Sequence, residues 1–402
     1  MDERFFEFSN PRVERIVFGA GVVRTVAEEA AKLGASRAWV VISPSVARTH
    51  ILDWIREALG PRCAGVFNGV RPHSPTEVIG KAAKEAREGE TDLLISVGGG
   101  SAIDTAKGIA AQLAEGGPLT RFAVRFTPPD RKEVPQLPHP KLPHLAIPTT
   151  LSGGEYSYSA GITEGGKKFI LADPELAPRT VLLDPQAART VPPTLLGASG
   201  MNALAHCVEA VYSTQTQPLT RALCLSAASR LASFLPTAVE HPDDLEAIGE
   251  VQIAACLAGM GVYSAWTGIH HAVVHVVGGR FGVPHANVHA VLLPYAMRWN
   301  LDRTIDAQAL VARAMGIDAG SDMEAAAAAS ETILEMNRRM GLPLRLRDLG
   351  VPHEALSALA EDTLGDYSVY TNPKPITSAS QVLELLEMAW YGLPWLPARK
   401  GK

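Results

Sequence analysis

Short β-branched runs alternate with amphipathic helical stretches through the first half of the chain, and the alternation stops near residue 190. "RIVFGAG" (Arg15 to Gly21) reads as a strand and turn, "VVRTVAEEAAKLGA" as a helix ending at glycine, and "RAWVVIS" (Arg37 to Ser43) as a buried strand. "PTEVIGKAAKEAREGE" reads as a further helix and "TDLLISVGGG" (Thr91 to Gly100) as a buried strand running into glycines. Strand, helix, strand in that rhythm demands right-handed crossovers and a parallel, doubly wound sheet. The proline-rich stretch from Gly116 to Pro143 is an irregular excursion, because "HLAIPTT" then rejoins the sheet and "RTVLLDP" (Arg179 to Pro185) closes it. From about Pro192 onward the periodicity is almost entirely helical.

The expected fold class is therefore α/β plus all-α. A Rossmann-like parallel-sheet domain for nucleotide binding takes residues 1–190 and an all-helical catalytic domain takes residues 191–402, with the boundary between 186 and 195. A formal net charge of -5 without a basic run offers no electrostatic footprint for nucleic acid or an anionic membrane. The four cysteines are irregularly spaced and form no CxxC, which points to a reducing cytoplasm. No signal peptide is read at the start, so the mature chain is expected to begin at Met1. The charge-free run from Val251 to Gly268 is diluted by polar residues and lacks basic flanks, so it reads as a helix buried on all sides and not as a membrane span.

Three stretches carry the chemistry. "ISVGGGSAIDTAKGIA" sets Gly98, Gly99 and Gly100 at the end of a buried strand, then Ser101 as N-cap of a helix bearing Asp104 and Lys107. Close backbone approach and free amides suit a pyrophosphate there, although a tight turn with no ligand would be built the same way. "IPTTLSGGEYS" puts Thr149 and Thr150 at a neighbouring strand end, as a second wall or as an ordinary polar loop. Finally, five of the twelve histidines (His270, His271, His275, His285 and His289) fall within 20 positions. His271 and His275 share a helical face, and a Gly/Pro turn can fold His285 back beside them. With His206 and Asn202 of "GMNALAH", themselves four apart, this makes a candidate divalent-metal site of three imidazoles and an amide.

The ordered set GGGSAIDTAK, IPTT, GMNALAH and H(x3)H(x9)H resembles the iron-containing, or group III, alcohol dehydrogenase superfamily over almost the full chain. That resemblance implies an iron-type alcohol dehydrogenase (dehydroquinate synthase-like) fold with the active site in the interdomain cleft. It implies that Gly99, Gly100, Ser101, Thr149 and Thr150 hold the phosphates and adjoining groups of NADH or NADPH, with Gly98 and Asp104 in the same motif and Lys168 near the nicotinamide ribose. Ser43 stands where NAD-preferring members often carry an aspartate, so a 2'-phosphate is not repelled. The family's metal ligands, one aspartate and three histidines, map onto Asn202, His206, His271 and His285, with His275 as the further histidine; the aspartate is missing.

At that departure the sequence resembles the maleylacetate reductases, which carry "GMNA.AH", the doublet "HH", "HVxGG" with "PHA", and an ending like "NPKPIT". Those enzymes work without the metal and reduce the conjugated carbon-carbon double bond of maleylacetate to give 3-oxoadipate in aromatic compound degradation. Asp104 follows the pattern of the alcohol dehydrogenases, and "TTLSGGEYSYS" departs from that subgroup's usual "TTYAGSE". The expectation is an NAD(P)H-dependent reductase of a small oxo acid or dicarboxylate, a cytoplasmic homodimer, with His206, His271, His275 and His285 as catalytic groups and Arg280 as carboxylate clamp. The alternatives are a metal-dependent (Fe or Zn) alcohol dehydrogenase or aldehyde reductase, a dehydroquinate-synthase-like lyase that uses NAD, and a non-catalytic cofactor-binding protein.

Overall fold

The computed structural model describes residues 6–8, 12–127 and 131–392. In chain order the first half contains β1 (Arg15–Phe18), α1 (Val26–Lys32), β2 (Ala38–Ile42), α2 (His50–Leu59), β3 (Cys63–Phe67), α3 (Thr76–Glu88), β4 (Leu93–Gly98) and α4 (Gly100–Glu115). A small hairpin of β5 (Arg125–Thr127) and β6 (Arg131–Glu133) comes next, then β7 (His144–Pro148). A second hairpin of β8 (Ser159–Glu164) and β9 (Lys167–Ala172) precedes β10 (Thr180–Leu183). Six strands form one parallel sheet in the order β1-β10-β7-β4-β2-β3. Every residue of β2, β4, β7 and β10 is buried, as expected of strands covered on both faces.

Several features differ from the sequence reading. β3 is absent from that reading because it is short, only half-buried and interrupted by Gly65. The proline-rich excursion contains the β5–β6 hairpin, and the polar stretch after "TTLSGG" folds as the antiparallel β8–β9 hairpin over a Gly165-Gly166 turn. Ser101 is not the N-cap of α4. The helix starts two residues earlier, Gly99 takes the cap position, and Ser101 lies in the first turn.

The second half is helical: α5 (Pro185–Ala188), α6 (Pro193–Tyr212), α7 (Pro218–Glu240), α8 (Leu245–Val262), α9 (Ile269–Phe281), α10 (His285–Ala314), α11 (Asp322–Arg339), α12 (Leu356–Thr363) and α13 (Ala379–Tyr391). The helices α7 and α8 are long and apolar enough to cross a membrane by length and composition, yet they pack on each other within the helical core. The charge-free run is helical only to Val262; beyond it the chain turns, and Trp266 adopts a left-handed backbone (φ 63).

The two halves meet where α8 crosses the loop after β7. At Gly259 a β-carbon would come within 2.6 Å of the Tyr156 ring, which is 1% exposed. That close approach sets how near the helical half lies to the cleft wall. Gly259→Ala is expected to cost about 1–3 kcal/mol, because a buried ring cannot move aside without strain. A thermal melt matching the parent would show that the contact does not hold the halves at this spacing.

Candidate functional site

Three strand ends make the first wall. The order of the strands reverses between β2 and β4 while the strands stay parallel, and such a switch point is where open α/β sheets bind ligands. Ser43 follows β2 there and donates its amide to Val97, while the Thr149 amide after β7 donates to Gly98 (both 3.0 Å). Gly98 has φ +144, and a β-carbon on it would lie 2.1 Å from the Ser43 hydroxyl, so only glycine lets these strand ends close together. Thr150 leans over Gly99, and Ser101 and Asp104 follow on α4. The Asp104 carboxylate accepts the Gly161 amide (3.1 Å) and faces Lys168 of β9.

Beneath this wall Lys107 of α4 is fully buried and donates to the carbonyls of Gly154, Ser157 and Ser159 at 2.7 to 2.8 Å. It thereby pins the loop after β7 that forms the cleft floor. Burial lowers its ammonium to about 8, against the pull of Asp104 and Glu155. Glu155, 1% exposed, has one carboxyl oxygen without a partner, and burial pushes it up to about 7.

The second wall is imidazole-rich. On α6, Asn202 donates its amide nitrogen to the Ser152 carbonyl (3.1 Å), and His206 stacks on His271 of α9 with centroids 4.9 Å apart. Glu209, one turn further along α6, is fully buried. One of its oxygens accepts the Gly268 and His270 amides at the start of α9 (2.9 and 3.1 Å), and the other accepts His271 Nδ1. His271 therefore presents an unprotonated, unpartnered Nε2. His275 Nδ1 donates to Asp366 (2.7 Å); burial raises that carboxyl, but His275 and the Ser368 amide outweigh it and hold it at about 2. His285 opens α10, and its ring lies 5.4 Å from that of His73. Burial, helped by Lys168, lowers His285 to about 2; burial also lowers His206 and His271, so these imidazoles are neutral and the imidazolium form is disfavoured.

Between the walls lies a cavity of about 500 Å³, lined by Asp104, Ser152, Lys168, His206, Trp266 and Asp366 among others. His206, the loop after β7 and the β8–β9 hairpin thus line one cavity, and His206 joins it to the imidazole cluster through its stack on His271.

The comparisons agree with this geometry. The description "Iron-containing alcohol dehydrogenase" matches residues 13–185 and "Fe-containing alcohol dehydrogenase family, C-terminal" matches residues 197–390. Maleylacetate reductase 1 of Cupriavidus pinatubonensis is 32% identical over 90% of this chain and 92% of its own. The chain belongs to the iron-containing alcohol dehydrogenase superfamily, on its maleylacetate reductase branch. Among solved structures, a maleylacetate reductase from Agrobacterium tumefaciens superposes with a TM-score of 0.81 at 28% identity, covering 97% of this chain and 99% of that one. A 1,3-propanediol oxidoreductase superposes with a TM-score of 0.88 at 29% identity, covering 96% and 100%. As a member of this superfamily the protein is an oxidoreductase that uses NADH or NADPH.

Members of the superfamily typically carry iron or another divalent metal, and the donor set can be tested for it. Asn202 Oδ1, His206 Nδ1, His271 Nε2 and both nitrogens of His285 are buried and unpartnered, so lone pairs fitting a cation are present. All are neutral; the nearest carboxylate, Glu209, stands behind His271. Among the described residues the tightest trio of ligand atoms is a different one, His270, His271 and His289, within 4.8 Å of one another. Its His270 Nε2 donates to the His289 carbonyl (3.1 Å), so the one lone pair of the neutral ring is on Nδ1, which faces the Glu209 carboxylate at 3.5 Å.

One expected residue lies elsewhere. Arg280 is not in the cleft: it is exposed and pairs with Asp362 at 2.9 Å. It lies nine positions after His271 on α9, about half a turn round from it, so the helix itself turns the guanidinium outward. Sequence reading overlooked Glu209, Glu155, Asp366 and His73. A capping carboxylate one turn after "NALAH" is the sole local signal among them.

The Glu155 shift carries a pH signature. Its folded value, about 7, exceeds the ordinary 4.5, so the native state keeps a proton that the unfolded chain has released between those values. The wild type therefore loses stability as pH rises from 4.5 to 7, by up to about 3 kcal/mol. Glu155→Gln should be more stable than wild type at pH 8, with the gap closing toward pH 5 in denaturant titrations. A gap independent of pH would mean that Glu155 is ionised in the native protein.

Proposed function

We propose that this enzyme reduces a small unsaturated oxo acid, maleylacetate or a close analogue, to the saturated oxo acid with NADH or NADPH and without an essential metal. The carrying observation is Asn202: an amide in the ligand position, anchored to Ser152, among imidazoles held neutral by burial. Without an anionic donor a divalent cation is bound weakly.

The strand ends at Ser43, Gly98 to Ser101, and Thr149 to Thr150 hold the dinucleotide, and no carboxylate at Ser43 repels a 2'-phosphate. Lys168, between Asp104 and Asp366, reaches the nicotinamide end. When bound, NADH or NADPH would supply a hydride to the alkene carbon remote from the ketone, with the electron pair of the double bond shifting onto the ketone oxygen as an enolate. Neutral His206 and His285 each offer one N–H to substrate oxygens. His275, paired with Asp366 and a third exposed, delivers the proton to the adjacent carbon and is reprotonated from solvent. Where iron or zinc is bound instead, Asn202, His206, His271 and His285 would hold it and it would polarise a carbonyl. Asp104 and the unpartnered Asn202 oxygen favour that second reading, a metal-dependent alcohol or aldehyde reductase.

The cysteines are free and none of the described residues forms a disulfide, which suits a cytoplasmic enzyme. The edge strand β1 leaves Ile16 and Phe18 exposed (39% and 48%), an edge that the second copy of a homodimer would cover.

Purified enzyme is expected to oxidise NADH or NADPH on maleylacetate with no stoichiometric iron or zinc by elemental analysis and no loss on chelation. Turnover abolished by chelation and restored by metal would instead establish the metal-dependent reading. His275→Ala should lower kcat by roughly 10²–10⁴-fold with cofactor affinity retained. Asn202→Asp supplies the missing anionic donor, and calorimetry should find tighter Zn²⁺ binding than in the parent; equal affinity would mean that the amide is not what weakens the site.

A further inference from the structure

Among the described residues, one ammonium group in the cleft has no carboxylate partner. Lys168 faces Asp104 and Asp366, and Lys107 is used up on backbone carbonyls. Lys132 of β6 also lines the cavity, but it makes no ion pair with any described residue. Its amino group instead lies over the faces of Trp266 and Tyr367, 4.2 and 5.0 Å from the ring centroids. Lys132 is itself solvent-exposed, as is all of β6, and contact with the rings on one side lowers its ammonium from its ordinary value.

The surroundings hold this arrangement in place. Lys132 pairs with Phe126 across the β5–β6 hairpin, so both side chains leave the same face. Phe126 docks against Tyr367 and Tyr370 of the helical half, at 6.3 and 5.4 Å between centroids, which anchors the hairpin across the cleft mouth. On the opposite face Arg125 pairs with Glu133. Trp266 is held in a left-handed backbone that tryptophan rarely adopts, and its ring meets Tyr367 edge to face at 5.4 Å. A strained aromatic, a second ring and an unanswered cation at the mouth of an acid-reducing cleft form a binding element. An apolar surface patch has no need of the cation.

We propose that Lys132, seated on Trp266 and Tyr367, is the subsite for the second carboxylate of a dicarboxylate substrate, the one beyond the ketone from the reacting double bond. This rests on the reading of the cleft as an oxo-acid site and adds the origin of its selectivity for a dianion. The hairpin delivers the charge, and the aromatic floor covers one side of it, so an ion pair there is less screened than on a fully open surface.

Two measurements separate this inference from the function it rests on. The first is kcat/KM for maleylacetate against 4-oxopent-2-enoate, the same enone with one carboxylate fewer. The second needs no turnover: calorimetric binding of adipate and of hexanoate to the complex of enzyme and oxidised cofactor. Lys132→Met should lower the preference for the dicarboxylate in both pairs by roughly 10–100-fold, the loss of a charge-assisted contact. Lys132→Arg should keep most of the preference, and Arg131→Ala, exposed on the same hairpin, should leave it intact. Wild type that fails to reduce maleylacetate but prefers adipate through Lys132 would overturn the assigned reaction and keep the subsite. Maleylacetate turnover with unchanged preferences in Lys132→Met would overturn the subsite, as would weaker NADPH binding with those preferences unchanged, which would assign Lys132 to the cofactor.

Discussion

The imidazole wall depends on a single buried carboxylate. Glu209 accepts two backbone amides at the start of α9 and the Nδ1 proton of His271, so it caps the helix and sets the ring that helix presents. Burial alone would raise this carboxyl, yet His271 and His270 hold it well below the ordinary value, so its charge is retained. Helix α6 thereby dictates where α9 begins, and through α9 it dictates where His275 meets Asp366. Removing the carboxylate would leave two helix-terminal amides and an imidazole N–H without acceptors inside the protein, a larger penalty than the loss of one surface ion pair.

The opposite wall is built by the inverse device. Where Glu209 collects donors from α9, Lys107 spends its protons on three carbonyls of the loop after β7. Each half of the molecule thus contributes one buried charge that organises a polar wall. The cleft between them is left with neutral imidazoles, a few unpartnered atoms and cations at its rim. Lone pairs and N–H groups converge there from several directions at fixed geometry.

Much of this was legible in the sequence, and what escaped shares a cause. The central strands β2, β4, β7 and β10 announce themselves because burial on both faces makes them continuous apolar runs. The Gly98 to Gly100 turn and the histidine spacing are local patterns, and the fold gathers them into one cleft. β3 and both hairpins were missed because their residues are half-exposed and mixed with glycine, lysine and arginine. Glu209 reads as a solvent-facing residue until α9 is packed on it, and Asp366 and His73 are brought in from remote segments by contacts that no window of sequence contains. Arg280 was misplaced for the converse reason: closeness in sequence to two functional histidines was taken as closeness in space, whereas the helix had carried it to the far side.

The amide at 202 is best understood from both of its ends. Its nitrogen donates to the Ser152 carbonyl, which fixes the assignment of the two ends and ties the helical half to the cleft loop. An aspartate at this position has no N–H, would face that carbonyl with a second acceptor, and would have to turn away or be held by a cation. Asparagine satisfies the loop without any cation and leaves a single unpartnered oxygen facing the imidazoles. The amide therefore does more than subtract one charge from a ligand set. It also makes a hydrogen bond to the loop that a carboxylate cannot make, so the residue that removes an anionic donor is the one that ties α6 to the cleft loop.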